Sequence, residues 1–188
     1  MAALRRRYPD APCTLLSRPT REIVRSLLLR DSDLGLSLHD PEHPDINCQM
    51  IAQGKLQLLA PHGWLQPRQK YISLQDLAGQ SLVGLDGQDP LSPAFDNKLG
   101  ALRPAPVIQI RVQTHQMMRA MVEAGEGLAV VDPFTASGAK DGGLDVCPVS
   151  PAIPICLYAL RLTDRAPSLT LQALLELVTE QAEALLSH

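Results

Sequence analysis

With 188 residues, 45% of them hydrophobic and 20% charged, the chain can bury a sizeable core, as one domain or as two small lobes, and is not a disordered segment. A net charge of −3 leaves no electrostatic footprint for nucleic acid, and the one basic run, Arg5-Arg6-Arg7, reads as the solvated last turn of a helix. No apolar stretch reaches the ~18 residues of a membrane span, and MAALRRRYPD lacks the apolar segment of a secretory signal. The expectation is a cytoplasmic chain with no membrane partner.

Taken in order, residues 12–17 (PCTLLS) read as a strand ending at Ser17. Pro19 and Thr20 open a helix, with Glu22 in its first turn and Ile23, Val24, Leu27 and Leu28 as its apolar face. Residues 34–39 (LGLSLH) are the next strand, so the segment reads as a βαβ unit with parallel pairing. A Pro-rich loop follows, with Pro41 and Pro44, and then a strand at 55–60. Ser73 begins a short helix, 81–85 (SLVGL) is a strand, and a loop leads to a weak helix near 94–100.

Residues 107–112 (VIQIRV) form a strand that enters the stretch VQTHQMMRAMVEAGEGLAVVDPF. Here Thr114 opens a helix, and Met117, Met118 and Met121 read as core. Gly125 fits a helix end needing positive φ, Gly127 fits a close-packed turn, and a short strand closes at Asp132-Pro133. The strands VCPV and ICLYALRL precede a helix over 168–186. Its apolar face is Leu171, Leu174, Leu175, Val178, Ala182 and Leu185. Alternating strands and helices predict an α/β protein with mostly parallel sheets. They group as one lobe from 1–61 plus 144–188 and a second from 62–143, joined by two crossing strands.

Ligands of open parallel sheets bind beyond the carboxyl ends of strands, against helix starts whose unpaired N–H groups favour a carboxylate. Three places qualify: Ser17-Arg18-Pro19-Thr20, Asp86-Gly87-Gln88 and Gln113-Thr114-His115. Thr20 and Thr114 also suit plain helix capping, and both readings stand at this point. The four cysteines show no CxxC spacing, and Cys13 and Cys156, in apolar runs, read as small core residues. No metal or cofactor is expected. There is no GxSxG, P-loop or HExxH, and none of the five histidines has a motif partner, so catalysis is not expected.

The order LRRRYPD, DLGLSL, LQLLAP, ISLQDLAGQSLVGL and MVEAGEGLAVVDP resembles the effector-binding domain of LysR-type transcriptional regulators over nearly the whole chain. The resemblance implies a two-lobed, type II periplasmic-binding-protein-like fold with a small effector between the lobes. It also implies a dimer or tetramer that contacts DNA only through an N-terminal winged helix-turn-helix absent from this chain. Carried onto this sequence, the ligand residues would be Ser17 and Thr20 from the first lobe and Asp86, Gln88, Gln113, Thr114 and Asp132 from the second. Thr20 and Thr114 would anchor a carboxylate. The wording AVVDPFTA is similar to the branch sensing lysine-related amino acids and opines, which implies an amine facing Asp86 or Asp132. The family's first strand and most of its first helix have no counterpart here, which implies open strand edges in the first lobe. A transporter's solute-binding protein is the alternative with the same fold, and the missing signal segment argues for the regulator.

Overall fold

The computed structural model describes residues 2–86, 91–139 and 141–186. In chain order the elements are α1 (Ala2–Arg7), α2 (Thr20–Leu28), β1 (Gly35–Ser37), β2 (Ile46–Lys55), β3 (Gln57–Pro61), β4 (Ile72–Ser73), a 3-10 turn (Leu74–Leu77), β5 (Ser81–Leu85), α3 (Leu91–Gly100), β6 (Val107–Val112), α4 (His115–Glu123), β7 (Ala129–Val131), α5 (Pro133–Ser137), β8 (Leu144–Ser150), β9 (Pro154–Leu162) and α6 (Leu169–Leu186). They form two compact units, Met1–Gln53 with Cys156–His188, and Gly54–Ile155.

In the first unit the strand order is β1-β9-β2. β1 runs antiparallel to β9, with Gly35 opposite Leu160 and Ser37 opposite Tyr158. Leu27, Ile46 and Leu160 are the buried centre, and Ile23, Val24, Cys48, Tyr158 and Leu162 pack around them. The helix α2 lies so close to β1 that a Cβ on Gly35 would run into Cγ2 of Ile23.

Three expectations give way here. Residues 11–19 have no regular structure, and Leu15 and Leu16 are 73% and 57% exposed. A strand is defined by its hydrogen-bonding neighbour; the apolar run finds none among the described residues, so the predicted βαβ unit does not form and Cys13 is exposed rather than core. Residues 46–55, read as loop, are the ten-residue strand β2. In α6 only Ala173 and Ala182 are fully buried, so its leucine face is half-covered and Leu185 is 45% exposed.

In the second unit the strand order is β4-β8-β3-β7, beside the pair β5-β6. β5 joins the larger group through a parallel bridge from Leu82 to Leu128. The pairs β4–β8 and β5–β6 are parallel, and β3 is antiparallel to both β7 and β8. The unit's strands therefore run one way except β3, which suits an α/β sheet whose helices α3 and α4 serve as crossovers. This unit takes in β3 and β8, which the sequence reading assigned to the first lobe, because β3 lies between β7 and β8 in the sheet.

The core of the second unit gathers Leu59, Val83, Leu85, Val112, Met118, Val122, Ala129, Val131, Ala136, Ala139 and Leu144. Met118 and Val122, four apart, give α4 its buried stripe, whereas Met117 points off that stripe and is 47% exposed. Gly125 ends α4 at φ +83, as its sequence position suggests. At Gly127, with φ +138, a Cβ would lie 2.6 Å from the Ser81 carbonyl oxygen. That close approach lets Leu128 N–H donate to Ser81 O at 2.9 Å, and Val83 N–H donate to Leu128 O at 2.8 Å. No described helix is long and apolar enough to cross a membrane.

Candidate functional site

In the second unit the ends of β5 and β6 are tied where Asp86 N–H donates to Val112 O at 2.7 Å. The Asp86 side chain is exposed there, as is Gln113, while Gln88 lies outside the described residues. Thr114 is extended (φ −139, ψ 152) and caps α4, its hydroxyl oxygen accepting from Met117 N–H at 3.2 Å. Capping uses the lone pair and leaves the hydroxyl proton for another acceptor. The capping and ligand readings of Thr114 are thus compatible in one geometry.

Directly behind Thr114 lies a buried polar cluster. His115 Nδ1 is 2.7 Å from Oδ2 of Asp132, and their side chains are only 9% and 6% exposed. Oδ1 of Asp132 accepts the N–H groups of Phe134 and Thr135, both at 2.9 Å, capping α5. Oδ2 also accepts the Thr135 hydroxyl at 2.6 Å. Pro133 at the first helical position completes a standard helix start. Burial alone would raise the Asp132 carboxyl; the hydrogen bond and charge of His115, with the two bonds from Thr135, outweigh it and hold the group below its ordinary range. With the carboxylate ionised, Nδ1 carries the proton and donates to Oδ2. Asp132's own N–H lies 3.1 Å from the same nitrogen but cannot donate to a protonated one, so the 2.7 Å bond sets the tautomer.

Two sequence expectations change here. His115 does have a partner, seventeen residues away and invisible to motif reading. Asp132 is 4% exposed with both oxygens engaged, so it orients His115 and starts α5 and has no lone pair aimed at a ligand's amine. The cluster is not a nucleophilic triad either. The Thr135 hydroxyl donates to the carboxylate rather than to the imidazole, so no hydroxyl is activated.

In the first unit Ser17 is exposed on the irregular segment. Pro19, not Thr20, occupies the cap position of α2 and makes no side-chain cap. Thr20 is the first helical residue, and its hydroxyl lies 3.0 Å from that of Ser37, which is 5% exposed. Ser37 donates to His39 O at 2.8 Å. Its single proton is spent there, so Thr20 donates to Ser37. Sequence reading missed Ser37, and it named neither the His115–Asp132 nor the Thr135–Asp132 contact. The Asp132-Pro133 step with a hydroxyl at Thr135 is a helix-start signal that could have located the last of these.

A cavity of about 120 Å³ lies within the second unit, walled by β5, β6, α3 and α4 with Leu56 and Ile153–Ile155. Its lining is apolar apart from Lys98 and His115. No group of three or more metal-ligating side chains gathers among the described residues.

Residues 1–183 match the family described as LysR substrate binding domain. Among curated relatives, the HTH-type transcriptional regulator YfeR of Shigella flexneri is 25% identical over 187 residues, covering 100% of this chain and 61% of the relative. The chain thus spans about three-fifths of that relative's length. Among solved structures, the regulatory domain of CcmR from Synechocystis PCC6803 in complex with 2-PG superposes with a TM-score of 0.76 at 14% identity, covering 97% of this chain and 88% of that one. The effector-binding domain of QuiR in complex with shikimate gives 0.72 at 17% identity, with the same coverage. These structural likenesses establish the type II periplasmic-binding-protein-like fold.

Proposed function

The chain belongs to the LysR substrate binding domain family, the effector-binding domains of LysR-type transcriptional regulators, and from that premise we propose that it senses a small carboxylate. The observation that carries this reading is Thr114. It caps a nine-residue helix, keeps its hydroxyl proton, and stands beside the partly charged first turn, with its neighbour His115 fixed by Asp132. The QuiR domain, whose ligand shikimate is itself a carboxylate, supports the ligand class. Gln113, Gln88 and Asp86 flank the same sheet ends in sequence. Asp86 is the acidic group left to meet an amine if the effector is amino-acid-like, because Asp132 is fully engaged. Ser17 and Thr20 are the first unit's own candidates for a carboxylate. Thr20's proton is committed to Ser37, so a carboxylate there meets backbone N–H groups unless the hydroxyl rotates.

In the full-length regulator, a helix-turn-helix region outside this chain contacts DNA, and the domain works as a homodimer or tetramer. The effector acts only through its differential affinity for two arrangements of the domain, which shifts the population that governs DNA binding and transcription. A thermal-shift screen of amino acids, opines and aromatic acids tests the sensing role. A true effector at 100 times its Kd adds about 2.7 kcal/mol to stability and raises the melting temperature. If no member of the three classes raises it, the reading fails.

A further inference from the structure

We propose that the Asp132–His115 pair positions Thr114 for the effector's carboxylate and so controls affinity without touching the ligand. The inference rests on the sensing role above and names further residues on which that site depends. The turn that carries Gln113 and Thr114 is held at both ends. On one side Val112 O accepts Asp86 N–H at 2.7 Å. On the other the His115 ring lies 2.7 Å from Oδ2 of Asp132, with only 9% of its side chain exposed. Between these two anchors Gln113 is exposed and Thr114 part-exposed.

The second anchor reaches beyond the turn. Oδ1 of Asp132 accepts the N–H groups of Phe134 and Thr135 while Oδ2 takes His115, so one carboxylate fixes the start of α4 against the start of α5. Gln116, in the same first turn of α4, adds a long hydrogen bond of 3.5 Å to the Thr135 hydroxyl oxygen. The Thr114 hydroxyl oxygen is tied to that turn by Met117 N–H at 3.2 Å, so where the turn goes the hydroxyl goes with it. A side chain already held in place before the ligand arrives loses little freedom on binding, and affinity rises accordingly. His115 and Asp132 act in this way through Thr114.

Acetate, the smallest carboxylate bearing a methyl group, titrated into the isotope-labelled intact chain tests the assignment through the amide shifts of Thr114 to Met117. His115→Phe removes the donor to Asp132 and leaves that carboxylate its bonds from Phe134 and Thr135. It is expected to weaken acetate about fivefold, the order for one side chain that must now be immobilised on binding. The Gln113 and Thr114 amides are expected to broaden in this variant before any acetate is added. His115→Asn, with an amide nitrogen where Nδ1 stood, is expected to recover most of the loss. In the Thr114→Val background, itself about tenfold weaker, His115→Phe is expected to add less than about twofold, because residues that act as a unit are not additive. His115→Ala repeats the cycle if His115→Phe fails to fold. Wild-type protein whose Thr114 amide ignores acetate ends the sensing reading and this inference with it. Binding that is weakened by Thr114→Val but unchanged in His115→Phe, or two losses that simply add, overturns this inference alone.

Discussion

Replacing Asp132 by Ala removes the acceptor at the centre of the second unit's polar cluster. The cap on α5 goes with it, at a cost of ~1 kcal/mol. The Thr135 hydroxyl and the His115 Nδ1–H are then left without the acceptor that held them at 2.6 and 2.7 Å. Each orphaned buried donor costs roughly 1–3 kcal/mol, and breaking a buried pair from one side falls at about 3–5 kcal/mol. These losses overlap, and the broken-pair figure of roughly 3–5 kcal/mol is used for the whole, a fall in Tm of about 6–20 °C for a chain of this size. Asp132→Asn is expected to cost about half as much. Its carbonyl still caps α5, and its amide donates to His115 once that ring changes tautomer. Urea unfolding at pH 7 with unchanged m-value reads both. A loss below about 1 kcal/mol for the alanine variant, smaller than a single orphaned donor, would refute the reasoning, as would an asparagine variant no better than alanine.

The pH dependence follows from the same residue. Asp132 is held below its ordinary range in the folded state, so its stabilisation is complete above the unfolded value of about 3.9 and is lost as pH falls through the folded one. Urea midpoints are expected to drop below about pH 4 in wild type, and less steeply in Asp132→Asn. Gly127→Ala puts a Cβ 2.6 Å from Ser81 O at φ +138, whereas at Gly125, φ +83, the space is open. Circular-dichroism melts are expected to show a cost of roughly 3 kcal/mol or more for the first and about 1 for the second, and equal costs would contradict the close approach. Burial first, then the hydrogen bond and charge of Asp40, push the Cys48 thiol up to about 11. At pH 8 its alkylation, followed by mass spectrometry, is expected to run about two orders of magnitude slower than that of an unperturbed cysteine; labelling at the ordinary rate would dismiss that environment.

Local signals were read well where local physics decides. The strands at 81–85 and 107–112 are apolar runs bounded by turn residues, and their limits match β5 and β6. The capping Thr114 and the positive-φ Gly125 are dictated by residues within one helical turn. Pairing is not local. Residues 12–17 look like a strand but lack a partner, and β2 looks like a loop because its burial pattern departs from simple alternation. Met117 and Met118 are adjacent letters on different sides of one helix. The site divides in the same way. Thr114 was legible because a cap is a sequence pattern, whereas the His115–Asp132 and Thr20–Ser37 contacts join residues seventeen apart in the chain. Those contacts decide which proton each hydroxyl and imidazole can offer.

The most direct test of the sensing account is calorimetric titration of wild type and Thr114→Val with the strongest ligand from the thermal screen. A hydroxyl donating to a carboxylate is worth about 1.5–3 kcal/mol, so the valine variant is predicted to bind at least tenfold more weakly while still folding. Equal affinity in the two proteins would contradict the account.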